Sequence, residues 1–214
     1  MDEDLGIINS NTRNEKIKIF FLNNRKKFII SFLVIVILIL SFYIFQIYKD
    51  KNRIQISDKY NSAIIEFNNA NKQETILSMK QIIEDKDSTY SPLALYFLLD
   101  NKLIDNNNEI NNLFDVIINE TSLENEIKNL VIYKKALFNA NFVKENELLE
   151  ILSPIINSES IWRSHGLYLA AEYFYSKNEK QKAKEFFEKI ILIKNANQDI
   201  ILEAQKRLNR DLSE

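Results

Sequence analysis

The chain has 214 residues, 46% of them hydrophobic, and a formal net charge of −2; that is enough to bury one core with a segment to spare, and no positive surplus marks it for nucleic acid. Cysteine is absent, which excludes disulfides, thiol catalysis, Cys-based zinc sites and a lipid-modified Cys anchor. Gly and Pro number two each, which excludes collagen-like and Gly/Pro-rich disordered chains and disfavours a β-sandwich with its many turns.

The first informative segment, Lys16 to Lys27, mixes Phe20, Phe21 and Leu22 with basic side chains. It suits either a short amphipathic helix on an anionic leaflet or plain positive flanking of a membrane span. The span follows. Phe28 to Tyr48 is a 21-residue run without a charge, about 31 Å as a helix, which matches the hydrocarbon thickness of a bilayer. Ser31, Ser41 and Gln46 are its few polar members, and Tyr43 and Tyr48 stand towards one end, where amphipathic rings favour headgroups. The run is too long for a signal peptide, and no small-x-small cleavage site precedes Lys49. It is apolar on every face, unlike a soluble core helix. Basic residues number six upstream (Arg13, Lys16, Lys18, Arg25, Lys26, Lys27) and four downstream (Lys49, Lys51, Arg53, Lys59). This bias predicts a cytoplasmic N-terminus and an external C-terminus. The expected division is 1–27 cytoplasmic, 28–48 transmembrane and 49–214 an external helical domain.

From Lys49 onward the apolar spacing is helical. Tyr60, Ile64 and Phe67 recur at three and four, as do Ile76, Met79 and Ile83, then Ile110, Phe114 and Ile117, then Ile127, Leu130 and Val131. Ser91-Pro92 predicts an N-cap and first helical residue, and Thr121 with Glu124 a capping box. Asn-rich breaks at 105–108 and 195–197 separate the segments.

A repeat emerges from these segments. Ile-Ile pairs at 82–83, 117–118, 155–156 and 190–191 each end a helical stretch, in steps of 35, 38 and 35 residues. A helix pair of about 34 residues is the tetratricopeptide length. In the last unit Leu167, Ala171, Phe174, Ala183, Phe187 and Ile190 place small residues where two helices approach and aromatics where gaps need filling. Asn178 stands at the turn where Gly is usual, because Asn tolerates the left-handed conformation. Asp199 to Leu212 carries Ile200, Ile201, Ala204 and Leu208 on one side and charges elsewhere, as an end-cap does. The predicted fold is all-α: an N-terminal transmembrane helix, then a tetratricopeptide-like α-solenoid of about four helix pairs with a C-terminal capping helix.

Three pieces carry a family resemblance: Ile17-Lys-Ile-Phe20-Phe21-Leu-Asn-Asn24-Arg-Lys26 before the anchor, Ile161-Trp162-Arg163 opening a helix, and the unit from Leu167 to Ile191. With the architecture they resemble the single-pass inner-membrane proteins with a periplasmic tetratricopeptide-like domain that act as ancillary subunits of the SecYEG translocon (the YfgM type). The chain departs from that family in its scarcity of Gly and Ala, replaced by Ile and Asn. The resemblance implies a bacterial inner-membrane location with the C-terminal domain periplasmic. It implies as partners translocon subunits, a periplasmic foldase and emerging polypeptides, and it implies no catalysis.

No catalytic, cofactor or metal residues are expected, nor a small-molecule substrate. His165 is the lone histidine, Gly6 and Gly166 are isolated, and no phosphate-cradling Gly loop exists. In a tetratricopeptide pair the first helix faces the groove, so His165, Tyr168, Glu172 and Tyr175 form the candidate partner groove, where two tyrosines suit a peptide or partner helix. A half-wet surface without a ligand is the alternative. For the whole chain, the alternative to a translocon accessory is a scaffold for envelope assembly or cell division.

Overall fold

The computed structural model describes residues 15–194 and 196–212, and the described part is helical without a strand. Two units divide the chain, Met1–Gln55 and Ile56–Glu214. The first holds α1, residues 15–23, and the beginning of α2, Arg25–Asn68. Asn24 joins them, its N–H and its side-chain amide both donating to the Phe20 carbonyl. Phe20, Phe21 and Phe28 cluster there, with Phe21 stacked on Phe28 at 4.8 Å. Within α2 the apolar side chains from Phe28 to Tyr48 are exposed on every side. One described helix, α2, is therefore long and apolar enough to cross a membrane.

The second unit takes up α2 from Ile56 and continues with α3 (Lys72–Glu84), α4 (Tyr90–Asp100), α5 (Asn107–Glu120), α6 (Asn125–Asn139), α7 (Glu145–Ile156), α8 (Arg163–Ser176), α9 (Lys180–Ile191) and α10 (Gln198–Asp211). From α3 onward packing is sequential: α3 lies on α4, α5 on α6, α7 on α8 and α9 on α10, while α6 touches α8 and α8 touches α10 across one helix. The core forms two clusters, one drawn from Ile56 to Val131 and the other from Ile132 to Leu212.

The Ile-Ile pairs end every second helix. Ile82, Ile117, Ile155 and Ile190, the first of each pair, are all 0% exposed. Leu167, Ala171, Phe174, Ala183, Phe187 and Ile190 likewise lie in the core, where α8 and α9 meet through alanines. Ile127, expected inside, is exposed; the buried face of α6 runs through Val131, Ile132 and Ala136, and Ile127 sits a turn before it.

Two expected helix starts are corrected. Helix α4 begins before Ser91, because Asp87 Oδ1 accepts from the backbone N–H groups of Thr89 and Tyr90 and starts the turn there. Ser91 is buried and donates its hydroxyl to the Ile82 carbonyl at 2.8 Å, leaving it unable to cap. Pro92 remains within the first turn, where its missing N–H costs nothing. Thr121 forms no capping box either. Its hydroxyl donates to the Val116 carbonyl at the end of α5, and α6 starts later, after Glu124. The Asn-rich breaks do supply caps: Asn106 accepts from Asn108 and Glu109, and Asn197 from Asp199 and Ile200. Asn195 of the second break lies outside the described residues.

Candidate functional site

Helix α8 has two contrasting sides. Its inner side, Ser164, Gly166, Leu167, Ala170, Ala171 and Phe174, is buried and mostly small. That composition lets α7 and α9 come close: a Cβ added at Gly166 would stand 3.2 Å from Ile156 Cγ2. Its outer side carries His165, Tyr168, Glu172 and Tyr175, all half-buried. Steps of three and four residues put them on one face.

The surroundings split the four. His165 lies against Trp162, with ring centroids 5.1 Å apart, and against Tyr133 of α6 at 5.8 Å. Trp162 is stacked on the same Tyr133 at 5.8 Å, so it packs two helices together at the opening of α8. The His165 Nδ1 is buried without a hydrogen-bond partner. Burial lowers the imidazole's pKa below its ordinary value.

The other three meet one cation, Arg207 of α10. Its Nη2 donates to Glu172 Oε2 at 2.6 Å and its Nη1 to Asp211 Oδ2 at 2.9 Å. The guanidinium stands over the Tyr175 ring, 4.9 Å from its centre. Tyr168 packs edge-on against Phe187 at 5.5 Å; burial raises its phenol pKa, the nearby Glu172 carboxylate adds to this, and Arg207 opposes it. Arg210 and Arg207 hold the Asp211 carboxyl well below the usual carboxylate range. The face expected to stand open is thus partly occupied from within the chain. Arg207 was not among the residues read from the sequence. Its signal was positional: it lies 35 residues beyond Glu172, one repeat length.

Elsewhere the polar groups serve packing. Asn111 and Asn139 exchange reciprocal amide bonds at 3.0 and 2.7 Å, with Asn139 buried. Lys135 pairs with Asp115 at 2.7 Å. Lys134 stands over the Tyr96 ring, whose hydroxyl is buried without a partner and whose pKa is pushed up to about 12 by burial. Among the described residues no group of His, Asp and Glu has the geometry to hold a metal ion. On the outer face of α8 the Glu172 carboxylate is held by Arg207 and the His165 Nδ1 is buried, so the face presents mainly ring surface. No family model, curated protein or solved structure matches the chain.

Proposed function

We propose that the protein is a membrane-anchored protein–protein interaction module, an accessory subunit of the SecYEG translocon that assists secreted or membrane proteins in the periplasm together with a foldase. The observation that carries this reading is the uncharged run from Phe28 to Tyr48, exposed around the whole of α2, on the same chain as a domain of sequentially packed helices. An apolar helix without a buried face needs lipid. The basic bias upstream favours a cytoplasmic N-terminus and a periplasmic domain.

A tetratricopeptide-like arrangement of about four pairs (α2–α3, α4–α5, α6–α7, α8–α9) with α10 as end-cap is supported by where side chains bond. Tyr90 donates to Ser57, Ser160 to Glu126, Lys86 to Glu120 and Arg207 to Glu172, at separations of 33, 34, 34 and 35 residues. One repeat length recurs along the domain, as it does when equivalent helices of successive units stack. The face of Tyr168, Glu172 and Tyr175 is then a partner groove gated by Arg207, and the translocon assignment rests on the family resemblance. Crosslinking in native membranes followed by mass spectrometry tests it. Recovery of translocon subunits and a foldase is expected; recovery of division or outer-membrane assembly proteins in their place overturns it.

A further inference from the structure

The inner side of α8 opens at its N-terminal end on a cleft of about 670 Å³, walled by the α7–α8 connection, the first turn of α8 and the end of α9. Charge in it is one-sided. Arg163, Lys189 and Lys194 line the cleft against the single carboxylate Glu159, in a protein whose formal net charge is −2. Glu159 reaches Arg163 Nη1 at 3.2 Å, but its side chain is 97% exposed, so the pair is weak. The Arg163 Nε is buried and has no hydrogen-bond partner. Lys189 stands over the Phe186 ring at 4.8 Å, and among the described residues neither it nor Lys194 joins an ion pair. Ser160 also lines the cleft, with its hydroxyl committed to Glu126 at 2.7 Å. Apolar surface completes the cleft: Leu167 and Phe186 in its lining, Ile161 and Leu192 exposed at 65% and 81%.

We propose that this cleft docks an acidic peptide segment carrying apolar side chains. A carboxylate of the segment takes the Nη edge of Arg163, displacing Glu159. Lys189 and Lys194 meet further carboxylates, and Ile161 and Leu192 lose their exposure against leucine-like side chains. A protein segment fits better than a lipid surface, because the cleft is walled on three sides and its cations stand within a hollow that a planar headgroup layer cannot follow. The cleft is a second surface, on the side of α8 away from Tyr168, Glu172 and Tyr175, and it stands independently of the translocon reading.

The test uses the full chain in phosphatidylcholine nanodiscs and the fluorescence anisotropy of a labelled Asp/Leu peptide, with its Asn/Leu counterpart as control. Saturable binding of the acidic peptide alone, weakened by salt, is expected. The triple variant Arg163→Gln, Lys189→Gln, Lys194→Gln loses at least about tenfold in affinity with an unchanged melting curve. Glu159→Gln, a change at a solvated side chain, tightens binding about twofold by freeing Arg163; this arm decides the matter if the triple variant melts early. Equal binding of the Asn/Leu peptide, unchanged affinity in the folded triple variant, or displacement of the peptide by phosphatidylglycerol vesicles each overturns the proposal.

Discussion

Among the described residues, four at helix ends other than glycine adopt the left-handed conformation: Ala70 (φ 66°), Lys86 (φ 53°), Lys102 (φ 49°) and Asn178 (φ 63°). The turns are bonded accordingly. Glu179 N–H donates to the Phe174 carbonyl and Asn178 N–H to that of Tyr175, and the turn after α4 repeats this with Leu103 to Leu98 and Lys102 to Leu99. A side chain there costs about 1–2 kcal/mol, which glycine avoids while giving back roughly 0.5–1 kcal/mol in the unfolded chain. Ala70→Gly and Lys102→Gly are therefore expected to stabilise by about 0.5–1 kcal/mol each, and Asn178→Gly by less, since Asn tolerates the conformation; denaturant midpoints measure this. His165 adds a pH dependence. Its folded pKa lies below the ordinary 6.5, so the folded state binds the proton less readily than the unfolded chain. The stability this confers is present above about pH 6.5 and is lost as pH falls below it. His165→Phe should flatten the fall in melting temperature between pH 7 and 5, and an unaltered slope would place the acid sensitivity elsewhere.

The helices themselves were largely legible in the sequence. The Ile-Ile pairs fall in the last turns of α3, α5, α7 and α9 because at least one fully buried position per pair is a strong, local constraint. Starts were harder. Ser91 and Thr121 are short hydroxyl residues suited to capping, yet each donates to a carbonyl of the preceding helix, a choice settled by packing that spacing does not encode. Gly166 was also opaque: an isolated glycine inside a helical pattern signals nothing until α7 is seen against it. A Cβ there would crowd Ile156 Cγ2 at 3.2 Å and already touch Ile155 and Leu152 at 3.5 and 3.6 Å, so atoms beyond the Cβ must displace them. Gly166→Leu is expected to destabilise by about 1–3 kcal/mol through overpacking, read as an earlier denaturant midpoint. The four residues on the outer face of α8 were expected from the register of a tetratricopeptide pair, whereas the contacts of Arg207 with three of them needed the fold.

Across the second unit, the core's two clusters make the effects of substitution local. Arg207 ties α10 to Glu172 and Tyr175 of α8 and pairs with Asp211 within α10, all far in sequence from Ile56 to Val131. Arg207→Ala should cost about 1 kcal/mol and speed amide exchange in α10 while leaving α3–α5 unchanged. If the outer face of α8 is a partner groove, the same change uncovers it and raises crosslinking yield; a lower yield would mean that Arg207 itself contacts the partner. The orientation of the whole chain is a separate balance, set by few charges. Arg25, Lys26 and Lys27 abut the apolar run directly, and they account for half of the upstream basic residues. Basic residues close to the span weigh most in setting its direction, and removing three of six leaves the downstream four in the majority. Alkaline phosphatase fused after Glu214 should therefore be active in a bacterial host. Replacing the triplet by Gln should lower that activity severalfold as part of the population inverts. An inactive parent fusion would reverse the assignment of the helical domain to the periplasm, and with it the proposed partners.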